Sequence, residues 1–215
     1  MNLPSRGTVL FDLDGTLADT VPLIIASFRH TASEVLGWLP SEDQCRAWIG
    51  RSLRETFDAL APGRADELVA HYLKWNLANH QGYVRPFQGV DALMDALVAS
   101  GRNYGVATSK RYESALVSLE CAGLTGRVPL LATEEDTTQH KPSPAPLLYA
   151  LAQVGAPADD AVYVGDAVVD MQAAHAAGIA PIAVTWGAAT AQELAATNPA
   201  AVVTSVDELR ELLGV

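Results

Sequence analysis

Residues 8–16 read Thr-Val-Leu-Phe-Asp-Leu-Asp-Gly-Thr, and the change of character within them decides the fold. Thr8 to Phe11 is an uncharged, β-prone run of the kind that forms a short buried strand. It stops on Asp12, and Gly15 stands just beyond, where a tight turn is needed. A short apolar strand with chemistry-bearing residues directly after it is the mark of a parallel sheet, and the pattern returns later in the chain. Strands are predicted at Tyr104–Ala107, Leu130–Ala132, Ala161–Val164, Pro181–Thr185 and Ala201–Val203. Helical stretches alternate with them: Val90–Ser100 stops at Gly101, the helix after Lys110 stops at Gly123, and a helix closed by Gly178 follows residue 166. Ser143 before Pro144 and Ser205 with Glu208 supply helix starts.

Between the first strand and this alternating region the signal is helical throughout. Thr20 or Asp19 precedes a helix with Pro22 in its first turn, and Leu23, Ile24, Phe28 and Val35 follow at helical spacing up to Gly37. Ser41 and Gln44 match a capping box, and further helices are predicted over Ser52–Leu60 and Arg64 to about Asn79. The chain is therefore expected to be α/β, with a doubly wound, mostly parallel sheet and an inserted all-helical block. The expected boundaries are 1–15 and 86–215 for the core and 16–85 for the insertion. The Ala-rich region 156–201 suits tight packing of helices on the sheet.

Composition narrows the function. The 215 residues carry 14 basic and 25 acidic side chains, a formal charge of −11, with no basic run or stripe, which argues against a nucleic-acid partner. An acidic protein repels anions at long range, so handling phosphate would require positive charge concentrated locally. Cys45 and Cys121 lack zinc-ligand or disulfide-framework spacing and read as thiols in a reducing compartment. Residues 1–8 hold no signal-peptide core, and no uninterrupted apolar stretch reaches the length of a membrane span, so a cytoplasmic chain without a membrane partner is expected. A monomer or a homodimer fits this composition equally well.

In a parallel α/β sheet, ligands bind outside the carboxyl ends of the strands. The residues there form a set: Asp12, Asp14 and Thr16 after the first strand, Thr108, Ser109 and Lys110 after the second, and Asp166 with Asp170 one turn later. His140, Lys141 and Pro142 lie between the last two groups. Carboxylates with a hydroxyl and a lysine serve both hard-cation binding and phosphoryl transfer. Mg²⁺ takes oxygen ligands, one or two of them carboxylates, which Asp12 and Asp166 can provide.

The stretches DLDGT (12–16), VATSK (106–110), KP (141–142) and GDAVVD (165–170) resemble, in order and spacing, the four motifs of the haloacid dehalogenase superfamily. The helical insertion resembles that family's C1 cap, and the layout is similar to its phosphoglycolate phosphatase and phosphomutase-like branch. The resemblance implies a Mg²⁺-dependent phosphatase acting on a small phosphorylated metabolite. Asp12 would be the nucleophile and Asp14 the general acid and base, while Thr108 and Lys141 would bind the transferring phosphoryl group. Asp12, Asp14 through its carbonyl, and Asp166 would hold the metal, with Asp170 supporting it or Lys141. Thr16, Ser109 and the cap residue Arg51 would line the substrate site.

Two positions depart from the pattern: Ser109 where Asn is frequent, and Ala167 where Ser or Thr often stands. The second carboxylate, Asp14, favours phosphate chemistry over carbon–halogen cleavage. The only lysine of the insertion, Lys74, lies late in a helix, which disfavours phosphonate cleavage through a Schiff base. Phosphoglycolate leads among candidate substrates. Pyrophosphatase, nucleotide or sugar-phosphate phosphatase, β-phosphoglucomutase-like mutase and non-catalytic binding roles are the alternatives. His140 is expected near the site entrance, and Trp186 is expected to pack near the cleft.

Overall fold

In the computed structural model, which describes Leu3 and residues 6–215, β1 (Thr8–Phe11) lies inside a six-stranded parallel sheet and is buried along its whole length. Its neighbours are β4 (Asn103–Ala107) and β6 (Ala161–Gly165), with β5 (Leu130–Ala132) beyond β4, and β7 (Ala180–Val184) and β8 (Ala201–Val203) beyond β6. The spatial order is β5-β4-β1-β6-β7-β8. The chain thus builds outward from β1 on one side, crosses back after β5, and builds outward on the other. Such a reversal opens a crevice at the carboxyl ends of the strands that flank it.

Alternation along the strands fills both faces. Val9 and Phe11 point into a cluster with Leu93, Met94 and Leu97 of α5 (Val90–Ser100), Leu119 of α6 (Tyr112–Cys121), and Leu209 and Leu213 of α10 (Val206–Leu213). Leu10 and Tyr163 face the other way, against Leu147 and Leu151 of α7 (Ala145–Val154) and Ala173, Ala174 and Ala177 of α8 (Val168–Ala177). The small alanines let α8 approach the sheet closely, as the composition suggests. Five-residue α9 (Ala191–Ala195) covers Ala183 and Met171 through Leu194.

The segment after β1 forms α1 (Val21–Thr31), α2 (Glu42–Trp48), α3 (Leu53–Leu60) and α4 (Ala65–Tyr83) around their own apolar cluster, in which Phe28 meets Trp48, Phe57 and Tyr72 at ring-centroid distances of 5.0–5.5 Å. The Ser41–Gln44 capping box is present at 3.2 and 2.9 Å. Three local features depart from the sequence expectation. Thr20 precedes α1 but caps nothing: its backbone is already helical where an N-cap is extended, and Pro22 removes one of the N–H groups it could accept from. Ala32–Leu36 widens into a π-helical turn closed by Gly37 at φ 74°. The third is a two-residue antiparallel pair, β2 (Ala18–Asp19) with β3 (Arg85–Pro86), which ties the entry and exit of the helical segment together. Two residues carry too little periodicity to announce a strand. Among the described residues, no helix is long and apolar enough to cross a membrane.

Candidate active site

Parallel pairing places the motifs side by side. Phe11 is in register with Val106 of β4 and Val164 of β6, so the residues following each strand emerge at the same edge. Asp12 N donates to Val164 O at 2.9 Å, and Thr108 N to Ala132 O at 2.9 Å, which continues the ladder by one residue into the site. Asp12, Asp166 and Asp170 are buried, with carboxylate oxygens within 4.8 Å of one another.

Each carboxylate has a different set of partners. Asp170 accepts from Lys141 Nζ (2.8 Å) and from Ala167 N (3.0 Å). Asp166 accepts from Thr16 Oγ1 (3.2 Å) and Ala188 N (2.6 Å). A Cβ at Gly15 or Gly187 would collide with Asp166 Oδ2, so only glycine lets these two loops close on that carboxylate. Asp12 is the exception. Lys141 Nζ stands 2.9 Å from its Oδ1 as an ion pair, and among the described residues that buried oxygen has no hydrogen bond of regular geometry.

Lys141 is fully buried between Asp12 and Asp170, over the Tyr163 ring at 5.2 Å from the centroid. Burial disfavours its charge, but the two carboxylates outweigh that and hold its proton more tightly than in water. Burial pushes the Asp12 carboxyl up to about 6, with Asp170 and Asp14 adding to the rise and Lys141 opposing it. Burial and the same crowding of negative charge push Asp166 well above its ordinary value. One lysine cannot neutralise this group. A hard divalent cation fits on two counts: the donors are carboxylate oxygens, and their mutual repulsion calls for more positive charge than one lysine supplies. Asp12, Asp166 and Asp170 are the clustered side chains that could hold it.

Asp14 and Lys110 are the pairing that sequence reasoning missed. Lys110 Nζ donates to both Asp14 oxygens, at 2.8 and 3.1 Å, holding that carboxylate against the wall of a cavity of about 50 Å³. Lys110 was visible as the last residue of the second motif, but nothing in spacing tells which carboxylate it meets. The cavity is bounded on the core side by Asp12, Asp14, Thr108, Ser109 and Lys110, and on the helical side by Ile24, Phe28, Arg51, Tyr72 and Asn76. That volume holds a few water-sized groups, since one water needs roughly 15 Å³.

The remaining predicted residues divide. Arg51 and Ser109 border the cavity, and the buried Ser109 hydroxyl has no hydrogen-bond partner among the described residues. Thr16, expected to face substrate, is 1% exposed and directs its hydroxyl to Asp166 instead. His140 borders a neighbouring groove with Ser52 and Glu134 and does not line the cavity. Lys74 is exposed and away from it. Trp186 donates its indole N–H to Thr16 O (3.1 Å) and packs on Phe87, so it braces the first motif. The helical segment closes over the site through two contacts: Ser52 Oγ donates to Glu134 Oε1 (2.6 Å), and Gly50 approaches so closely that a Cβ would lie 2.9 Å from Val169 and 3.0 Å from Ala167.

A parallel sheet whose carboxyl edge gathers four aspartates and a buried lysine offers the oxygen ligands and local positive charge that hard-cation and phosphate chemistry use. Comparison with known proteins agrees: the profile of the haloacid dehalogenase-like hydrolases matches residues 9–184. The pyrophosphatase PpaX of Bacillus pumilus is 32% identical over 214 residues, covering 100% of this chain and 99% of its own. The solved structure of a hydrolase from Pseudomonas syringae, 23% identical, superposes with a TM-score of 0.88 over 97% of this chain and 98% of its own. A Lactobacillus plantarum protein provisionally named a phosphoglycolate phosphatase, 24% identical, gives 0.85 over 97% and 99%. The chain belongs to the haloacid dehalogenase-like hydrolase family.

Proposed function

We propose that this protein is a Mg²⁺-dependent phosphatase that cleaves a small phosphorylated anion by way of an aspartyl phosphate on Asp12, with inorganic pyrophosphate as the leading substrate. The observation that carries the reading is the state of Asp12: buried at the end of β1, bordering the cavity, with the Lys141 ammonium 2.9 Å from one oxygen as the only donor group close to its carboxylate among the described residues. A structural aspartate in that setting would be hydrogen-bonded. A nucleophile has to keep an unencumbered lone pair.

In this mechanism Asp12 attacks phosphorus in line as the bond to the leaving oxygen breaks. Asp14 gives that oxygen a proton, then takes one from the water that hydrolyses the aspartyl phosphate. Lys141 and Thr108 bind the phosphoryl oxygens as negative charge shifts onto them. Asp12, Asp166 and the Asp14 carbonyl would hold Mg²⁺, which supplies charge neutralisation at the phosphoryl group. The helical segment acts as a cap, and its Ser52–Glu134 and Gly50 contacts exclude water while the first step proceeds.

Two observations favour pyrophosphate over phosphoglycolate, which led in the sequence reading. The full-length relative at 32% identity carries a pyrophosphatase name, whereas the phosphoglycolate name belongs to a 24%-identical protein whose likeness speaks for fold alone. Lys110, Arg51 and Arg111 also border the small cavity, which suits a compact leaving group that departs as an anion.

The test is phosphate release from pyrophosphate, phosphoglycolate, nucleoside monophosphates and sugar phosphates, with and without Mg²⁺, for the native protein and Asp12→Asn. Release that requires both Mg²⁺ and Asp12 is expected, with pyrophosphate highest in kcat/KM. Equal activity of the variant would refute Asp12 as nucleophile, and preference for another ester would displace pyrophosphate.

A further inference from the structure

The cap side of the cavity carries one polar side chain whose orientation is dictated by its neighbours. Asn76 sits within α4, 1% exposed, and borders the cavity that also holds Asp12 and Asp14. Its Nδ2 donates to Ser27 Oγ of α1 at 2.9 Å. Ser27 spends its single hydroxyl hydrogen on Leu23 O at 2.7 Å, so towards Asn76 it acts only as an acceptor. Turning the amide round would set oxygen against oxygen.

The backbone of the same turn is held as well. The Asn76 carbonyl accepts from His80 Nδ1 (2.8 Å), which leaves His80 Nε2 bare to accept from Ser118 Oγ of α6 (3.1 Å). Asn76 is thereby fixed to α1 by its side chain, and its carbonyl is tied to His80, which in turn reaches α6. Its Oδ1 makes no hydrogen bond among the described residues, and Asn76 is one of the residues that line the cavity.

We infer that Asn76 is a specificity-determining residue whose Oδ1 accepts a hydrogen from the leaving-group end of the substrate. The inference rests on the phosphatase reading above and names the chemistry its leaving group must carry. An amide oxygen has no hydrogen to give, and Ile24, Phe28 and Leu73, which line the same cavity, offer no polar group to make up a mismatch. The site therefore favours a leaving group with a protonated oxygen: the P–OH of singly protonated pyrophosphate, or the hydroxyl of a polyol phosphate. It disfavours a bare carboxylate at that end, as in phosphoglycolate.

The experiment measures kcat and KM for the native enzyme, Asn76→Leu and Ser27→Ala on pyrophosphate, glycerol 3-phosphate, phosphoglycolate and phenyl phosphate, with a melting curve for each protein. Asn76→Leu is expected to lower kcat/KM about 10- to 100-fold on the donor-bearing substrate while leaving phosphoglycolate and phenyl phosphate within about twofold. Whether pyrophosphate or glycerol phosphate falls identifies where the hydrogen resides. Ser27→Ala frees the amide to turn and present Nδ2, so the ratio of phosphoglycolate to donor-bearing turnover is expected to rise. It decides the question if Asn76→Leu does not fold. Equal losses on all four substrates, or no loss, overturn the role of Asn76 and leave the phosphatase reading standing. Failure of the native enzyme on all four removes that reading and this inference with it.

Discussion

Replacing Lys141 with Met keeps the length of the side chain and deletes its charge, which isolates what the buried ammonium does. In the native protein Nζ is 2.9 Å from Asp12 and 2.8 Å from Asp170, fully out of solvent. Without it, three carboxylates within 4.8 Å of one another have no buried cation. Breaking a buried ion pair from one side costs about 3–5 kcal/mol, against a total stability of about 5–15 kcal/mol for a folded domain. With a urea m-value of about 3 kcal/mol/M, the unfolding midpoint should fall by roughly 1–2 M in buffer freed of Mg²⁺. Adding Asp170→Asn removes one of the stranded charges, so the double variant should recover part of that loss; a double-mutant cycle measures how much. Mg²⁺ should stabilise Lys141→Met more than the native protein, because the cation then supplies charge the lysine no longer does. A loss below about 1 kcal/mol, or a double variant no more stable than Lys141→Met, would refute the claim that Lys141 is needed to offset buried negative charge.

Two further outcomes follow from single positions. Gly50→Ala places a methyl at φ 86° against Val169 and Ala167, so it is expected to cost about 1–3 kcal/mol in strain and to lower kcat/KM by hindering closure; melting curves with steady-state kinetics check both. His80 is buried at the junction of cap and core, and burial, helped by the charge of Lys110, lowers its proton affinity below the usual imidazole value. The unfolded chain then binds the proton more readily, so this contribution to stability is fully present above the unfolded value of about 6.5 and is lost as pH falls through the folded value. Urea unfolding at pH 7.5 and 5.5 should show the native protein losing more stability on acidification than His80→Gln.

Much of the core was legible because strand ends obey a short rule. Once residues 8–11, 104–107 and 161–164 read as parallel strands, the residues after each had to share an edge, and Asp12, Thr108 and Asp166 are found there. Lys141 was readable only through its motif, since a lysine before a proline in a loop says nothing by itself about burial between two aspartates. Thr16 illustrates the limit from the other direction: its position after the strand is plain, but whether its hydroxyl faces the cavity or Asp166 depends on how the 186–188 loop closes behind it.

By itself, then, the sequence determined the strand and helix alternation, the family and the composition of the strand-end site, because these follow from local periodicity and from residues near one another in the chain. The tertiary structure alone decided which charge meets which and what faces the cavity. The Lys110–Asp14 pair spans 96 residues, the Ser52–Glu134 contact 82, and the Ser27–Asn76 bond 49. The first joins two strand ends of the sheet, the second joins the helical segment to the core, and the third joins two helices of that segment; each is set by side-chain packing among elements distant in the chain, which no local pattern encodes.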